Sequence, residues 1–303
     1  MTPPSTLLLD LLRDPRAEMP APTPEAHAEA MLRAHVLGQI SRALVARGEH
    51  AMLVKGAALA LTVYPSPAAR PMCDVDLLVP PRRERAVIEV LAAAGLALHE
   101  PRLRPRSREM LGETQLVARA GEMRLLVEVH GTLDKIVPRP IDVAAVETRA
   151  SAAPGLPGLF VPSVEDHALL VALHAAGHEF RHEAAWLDLE LLLRGGIDRQ
   201  VLVERARAFR LGTVMFVMLS TLRALGAASV DAELLRAFEP GRLRRAALVP
   251  FYDVGAFPIA RGKAELGVPW VLAQTPLRED LGAWARGLAR YAAARVADRI
   301  VAR

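Results

Sequence analysis

Residues Ala69–Pro80 read ARPMCDVDLLVP, and the fold turns on how this stretch is taken. Leu77, Leu78 and Val79 are the apolar end of a short buried strand, yet Asp74 and Asp76 stand one residue apart just upstream. Side chains alternate along a strand, so both carboxylates share one face, their Cβ atoms about 6.5–7 Å apart. Two like charges on a mostly apolar strand repel, and burying them without a counter-charge is costly. A cation is therefore expected beside them.

Hard carboxylate oxygens suit Mg2+ or Mn2+, and two such ions about 3.5–4 Å apart are a recurring device of phosphoryl and nucleotidyl transfer. A site of this kind needs a third carboxylate. In RLLVEVHG (Arg124–Gly131), Glu128 and His130 alternate with Val127 and Val129, so the polar pair faces one way and the valines the other. Glu128 is the expected third metal ligand, and His130 is placed to hydrogen-bond a phosphate or a metal-bound water.

Upstream, AMLVKG (Ala51–Gly56) is a short strand that ends where the helical run AALALTVY begins. Lys55 and Gly56 thus occupy a strand-to-helix corner: glycine permits close backbone approach, the helix start offers free amides, and lysine adds a charge suited to a triphosphate. Arg70, four residues before Asp74, is placed to cover the same phosphates.

The surrounding pattern is mixed α/β. Met31, Leu32, Val36, Leu37, Ile40, Leu44 and Val45 recur at helical spacing over 24–47. PPRRERAVIEVLAAAG (Pro80–Gly95) is a helix opened by prolines and closed by glycine. ETQLVARA and MRLLVEVHG are strands joined by a hairpin at Ala120-Gly121-Glu122. Beyond SAAPGLPGLFVPS (Ser151–Ser163), read as a loop, helical patterns run nearly to the end. The expected organisation is a flexible N-terminal arm over 1–23, a catalytic domain with an N-terminal helix over 24–155, and a helical C-terminal domain over 156–303.

These segments resemble a bacterial nucleotidyltransferase family of the DNA polymerase β-like superfamily. The resemblance is carried by LVKGAALALTVYPSPAARPMCDVDLLVP (Leu53–Pro80), VEVHG (Val127–Gly131), VPSVEDHALLVALHAAGH (Val161–His178) and WLDLELLL (Trp186–Leu193). It implies an α+β fold, with a small mixed β-sheet core flanked by helices and a helical C-terminal domain. It also implies an NTP substrate with two magnesium ions, Asp74, Asp76 and Glu128 as metal ligands, and Gly56 at the corner that meets the phosphates. The superfamily's usual Gly-Ser at that corner is replaced by Lys55-Gly56-Ala57, so the phosphate grip falls to Lys55 and backbone amides.

The expected activity is transfer of an NMP from an NTP to an acceptor hydroxyl on a small molecule, a peptide or protein, or tRNA. The competing expectations are a non-catalytic nucleotide-binding or antitoxin-like partner, and a kinase using the γ-phosphate. The net charge of +4 permits an anionic substrate without demanding nucleic acid. The basic run Arg102–Arg108 lacks the stacking aromatics of a single-strand binder. One cysteine, Cys73, excludes an intrachain disulfide and a cysteine-based metal cluster. It is read as a small core residue, and a cytoplasmic protein without a membrane partner is expected. His174, His178 and His182 recur at four-residue spacing and are read as lining an interdomain cleft or as a partly wet helix face rather than as a metal site, with His174 and His178 candidates to reach the nucleotide or acceptor.

Overall fold

The computed structural model describes residues 4–99, 110, 112–134, 136–253 and 268–301. The basic run Arg102–Arg108 lies outside the described residues. The chain divides into two compact units, one comprising 20–163 with 288–303 and the other 1–19 with 164–287.

The first unit is built on a mixed sheet of seven strands among the described residues, in the order β3-β4-β5-β2-β1-β7-β6. The strands are β1 (Ala51–Val54), β2 (Asp74–Leu78), β3 (Ala97–Leu98), β4 (Glu113–Ala120), β5 (Met123–His130), β6 (Ser151–Ala152) and β7 (Leu159–Val161). β2 lies between β1, to which it is antiparallel, and β5, to which it is parallel. The α+β class expected from the sequence is what is found. The segment read as a loop, Ser151–Ser163, differs: it contributes β6 and β7, and β7 pairs parallel to β1. Two- and three-residue strands are too short to show a period, so this edge left no pattern to read.

Local chemistry sets the elements around the sheet. α2 (Pro24–Ala46) begins where the Thr23 side chain accepts from the Ala26 amide, with proline in its first turn. α4 (Pro81–Ala93) ends just before Gly95, whose φ of 94° only glycine adopts without cost. Ala120 pairs with Met123, leaving Gly121 (φ 60°) and Glu122 as a two-residue hairpin loop.

One face of the sheet is apolar. Leu53, Val75, Leu77, Leu116, Ala118, Val127 and Val129 form a single core with Val36, Ile40 and Leu44 of α2 and with Val87 and Leu91 of α4. The alternate residues of β2 and β5 point to the opposite face, and these include the acids.

The second unit is helical. Its main helices are Val164–Gly177, Glu183–Arg194, Arg199–Ala208 and Gly212–Leu225. Within the stretch read as a loose arm, Thr6–Arg13 forms helix α1, capped by Ser5, with Leu8, Leu11 and Leu12 buried. Arg194 donates to the Leu11 and Leu12 carbonyls at 2.6 and 3.0 Å, and Arg13 donates to the Leu225 carbonyl at 3.0 Å. The leucine stripe supplies the burial, and the arginines satisfy carbonyls at the helix end. Among the described residues, no helix is long and apolar enough to cross a membrane.

Candidate active site

The parallel pairing of β2 with β5 places Asp76 directly beside Glu128, Asp74 beside Leu126, and Leu78 beside His130. Paired positions share a face, so Asp74, Asp76, Glu128 and His130 all lie on the face turned away from the apolar core. The alternation read in RLLVEVHG holds.

The contacts are close. His130 Nε2 lies 2.8 Å from Asp76 Oδ1 and 3.4 Å from Glu128 Oε2. The Lys55 ammonium donates to the same Asp76 Oδ1 at 2.6 Å. The Gln115 amide donates to Glu128 Oε1 at 2.7 Å, which fixes the orientation of that carboxylate. Asp76 and His130 are each 3% exposed. One potential ligand atom from each of Asp76, Glu128 and His130 lies within 4.8 Å of the other two, the one such set found among the described residues. Asp74 stands at the strand entrance, half-buried, and is not in that set.

The electrostatics follow from this arrangement. Burial pushes the Asp76 carboxyl up, but the Lys55 charge and the His130 hydrogen bond outweigh it and hold Asp76 well below the usual carboxylate range. Glu128 is also lowered, burial being overcome chiefly by its hydrogen bond and charge interaction with His130. Burial and the Lys55 charge push His130 down, yet its two carboxylate partners raise it overall. Asp74 is raised, first by burial and then by the neighbouring Asp76 charge. The cluster therefore gathers positive charge onto Asp76 and leaves Asp74 short of it.

The corner after β1 completes the site. Lys55 adopts φ 54°, a left-handed conformation that costs a non-glycine residue about 1–2 kcal/mol. Helix α3 (Lys55–Thr62) starts there, and its N-cap residue Val54 offers no side-chain hydrogen bond to the first amides. A Cβ at Gly56 would stand 3.3 Å from Met72 Sδ and 3.6 Å from the Arg70 guanidinium carbon. Arg70 is thus brought against the glycine corner. The loop that carries it is held by Arg33 of α2, itself 5% exposed, which donates to the Met72 and Pro67 carbonyls at 3.3 and 3.2 Å.

Sequence reasoning missed two participants. Gln115 was legible in principle, because counting back from the hairpin turn pairs it with Glu128. Arg33 left only a charge inside an apolar helical stripe. Cys73 corrects an expectation: it is exposed, not in the core, because β2 and its burial begin only after it. The negative charge of Asp74, then burial, raises its thiol pKa. In the helical unit, His174 and His178 stack edge-to-face at 4.6 Å, as do His178 and His182 at 4.9 Å.

No curated protein and no solved structure matches the chain. A family model described as "Uncharacterised nucleotidyltransferase" matches residues 9–226, and the chain belongs to that family.

Proposed function

We propose that this member of a nucleotidyltransferase family moves an NMP from an NTP to an acceptor hydroxyl, with a divalent cation held on the acid face of its sheet. The observation that carries the proposal is the β2–β5 register, which sets Asp76 beside Glu128 at the foot of the Lys55–Gly56 corner.

The residues present suit a divalent cation. Asp74, Asp76 and Glu128 offer hard oxygen donors, and Asp76 already holds an ammonium and faces an imidazole on one oxygen. Bound there, Mg2+ or Mn2+ would neutralise charge on the triphosphate and polarise the α-phosphate. The chain supplies the rest. Gly56 lets the triphosphate approach the backbone, and the first amides of α3 with Lys55 and Arg70 bind its oxygens. Glu128, oriented by Gln115, accepts the acceptor's proton as the hydroxyl attacks the α-phosphate and pyrophosphate leaves. Positioning and charge neutralisation account for most of the rate.

Catalysis is assigned to the sheet-bearing unit within the expected domain 24–155. The acceptor is a hydroxyl on a small molecule, a peptide or protein, or tRNA, and a cytoplasmic location fits the single cysteine.

The test is incubation of the protein with α-labelled and, separately, γ-labelled NTPs, divalent metal and a cell extract. Attachment of the α-label alone is the expected result. Attachment of the γ-label alone makes the protein a kinase, and attachment of neither makes it a nucleotide-binding partner.

A further inference from the structure

His130 has more to do than hydrogen-bond a phosphate. We infer that His130 Nε2 is itself a ligand of the cation held by Asp76 and Glu128, so that the site takes Mn2+ or a similar first-row transition ion in preference to Mg2+. This rests on the proposed function only in placing a divalent cation on the acid face.

The geometry carries it. Adjacent ligands of an octahedral ion with bonds of about 2.1 Å are separated by about 3.0 Å. His130 Nε2 stands 2.8 Å from Asp76 Oδ1 and 3.4 Å from Glu128 Oε2, which brackets that spacing on both sides. The imidazole nitrogen lies within reach of carboxylates from two adjacent strands, nearer to Asp76, whose Oδ1 it shares with the Lys55 ammonium, so a bound ion would displace the lysine from that oxygen. Its position is fixed: His130 closes β5, is 3% exposed, and is paired in register with Leu78. Glu128 is prepared in the same sense, because Gln115 takes Oε1 and leaves Oε2 on the side of His130. A ring nitrogen and two carboxylates form a mixed set. Mg2+ favours oxygen alone, whereas first-row transition ions accept imidazole readily. Ligation uses the Nε2 lone pair and releases its proton to solvent.

The experiment is pulsed electron paramagnetic resonance on the full chain with one equivalent of Mn2+, read for coupling to a directly bonded nitrogen. Wild-type protein is expected to show 14N modulation, replaced by a 15N pattern when its histidines are 15N-labelled. His130→Gln is expected to abolish the coupling and to weaken Mn2+ binding by at least about tenfold, the lower end of what losing even an outer-shell partner costs. Bound Mn2+ without nitrogen coupling in the wild type overturns the inference and leaves an all-oxygen site, and coupling that survives in His130→Gln overturns it by assigning the nitrogen to another residue. If the wild type holds no more Mn2+ than Asp76→Asn, the metal site itself is overturned. Should His130→Gln fail to fold, His130→Asn is read in its place, and absence of the isotope exchange in the wild type overturns the inference without either variant.

Discussion

The two faces of strand β2 differ in chemistry although they share five residues of backbone. Val75 and Leu77 turn into the apolar core and are fully buried. Asp74 and Asp76 turn the other way, where Asp76 is just as deeply enclosed but by Lys55 and His130. The apolar face lowers the free energy of the fold with every contact. On the acid face, concentrated charge opposes folding unless cations arrive to balance it. This is the face on which we propose that the cation and the NTP bind.

Exchanging the roles of the faces should produce opposite failures. Leu77→Ala is expected to lower unfolding free energy by about 2–5 kcal/mol, through lost burial and a cavity. Transfer per folded molecule should stay within about threefold of wild type, since the core face holds no group that acts on the charge developing in the transition state. Denaturant titration and an activity assay on the same preparation check both halves. Asp76→Asn should do the reverse, lowering the transfer rate by about 10²–10³-fold, as for loss of a preorganised charge-stabilising group. Its single-turnover rate at saturating NTP is the measurement.

A smaller effect should sharpen the contrast. If the acid face awaits a cation, Mn2+ at about 100 times its dissociation constant should stabilise wild-type protein by about 2.7 kcal/mol. The same addition should leave the melting temperature of Asp76→Asn unchanged and should still stabilise Leu77→Ala. Calorimetry with and without the ion separates the three proteins. The least disruptive change is Gly56→Ala. Its methyl would stand 3.3 Å from Met72 Sδ, so Met72 and the adjacent Arg70 must shift by a few tenths of an ångström. The KM for NTP should rise by no more than about tenfold, equivalent to 1.4 kcal/mol, with kcat nearly constant, as for loss of binding common to ground and transition states.

Much of this was legible in the chain. The pair Asp74 and Asp76 declared itself as an anomaly in an apolar strand, and the alternation Val127, Glu128, Val129, His130 gave the facing of β5 without any structure. The hairpin at Gly121-Glu122 even fixes the partner of Glu128, by register. What the chain did not declare is non-local. Nothing near β2 says that it lies parallel to β5, yet that pairing alone brings Asp76 to Glu128. Lys55 reads as a phosphate ligand, and the sequence does not foretell that its ammonium also stands on Asp76 or that its backbone is left-handed. The N-terminal leucines were visible as a stripe, but the carbonyls they bring to Arg194 lie more than 180 residues away in sequence.

If the acid face directs attack on the α-phosphate, the products released will show it. With NTP, Mn2+ and an extract that supplies the acceptor, wild-type protein should form one pyrophosphate for each nucleotide attached and no nucleoside diphosphate, and Asp76→Asn should form pyrophosphate about 10²–10³-fold more slowly. Nucleoside diphosphate in place of pyrophosphate would mean transfer of the γ-phosphoryl group, and equal pyrophosphate from Asp76→Asn would mean that the acid face does not direct the attack.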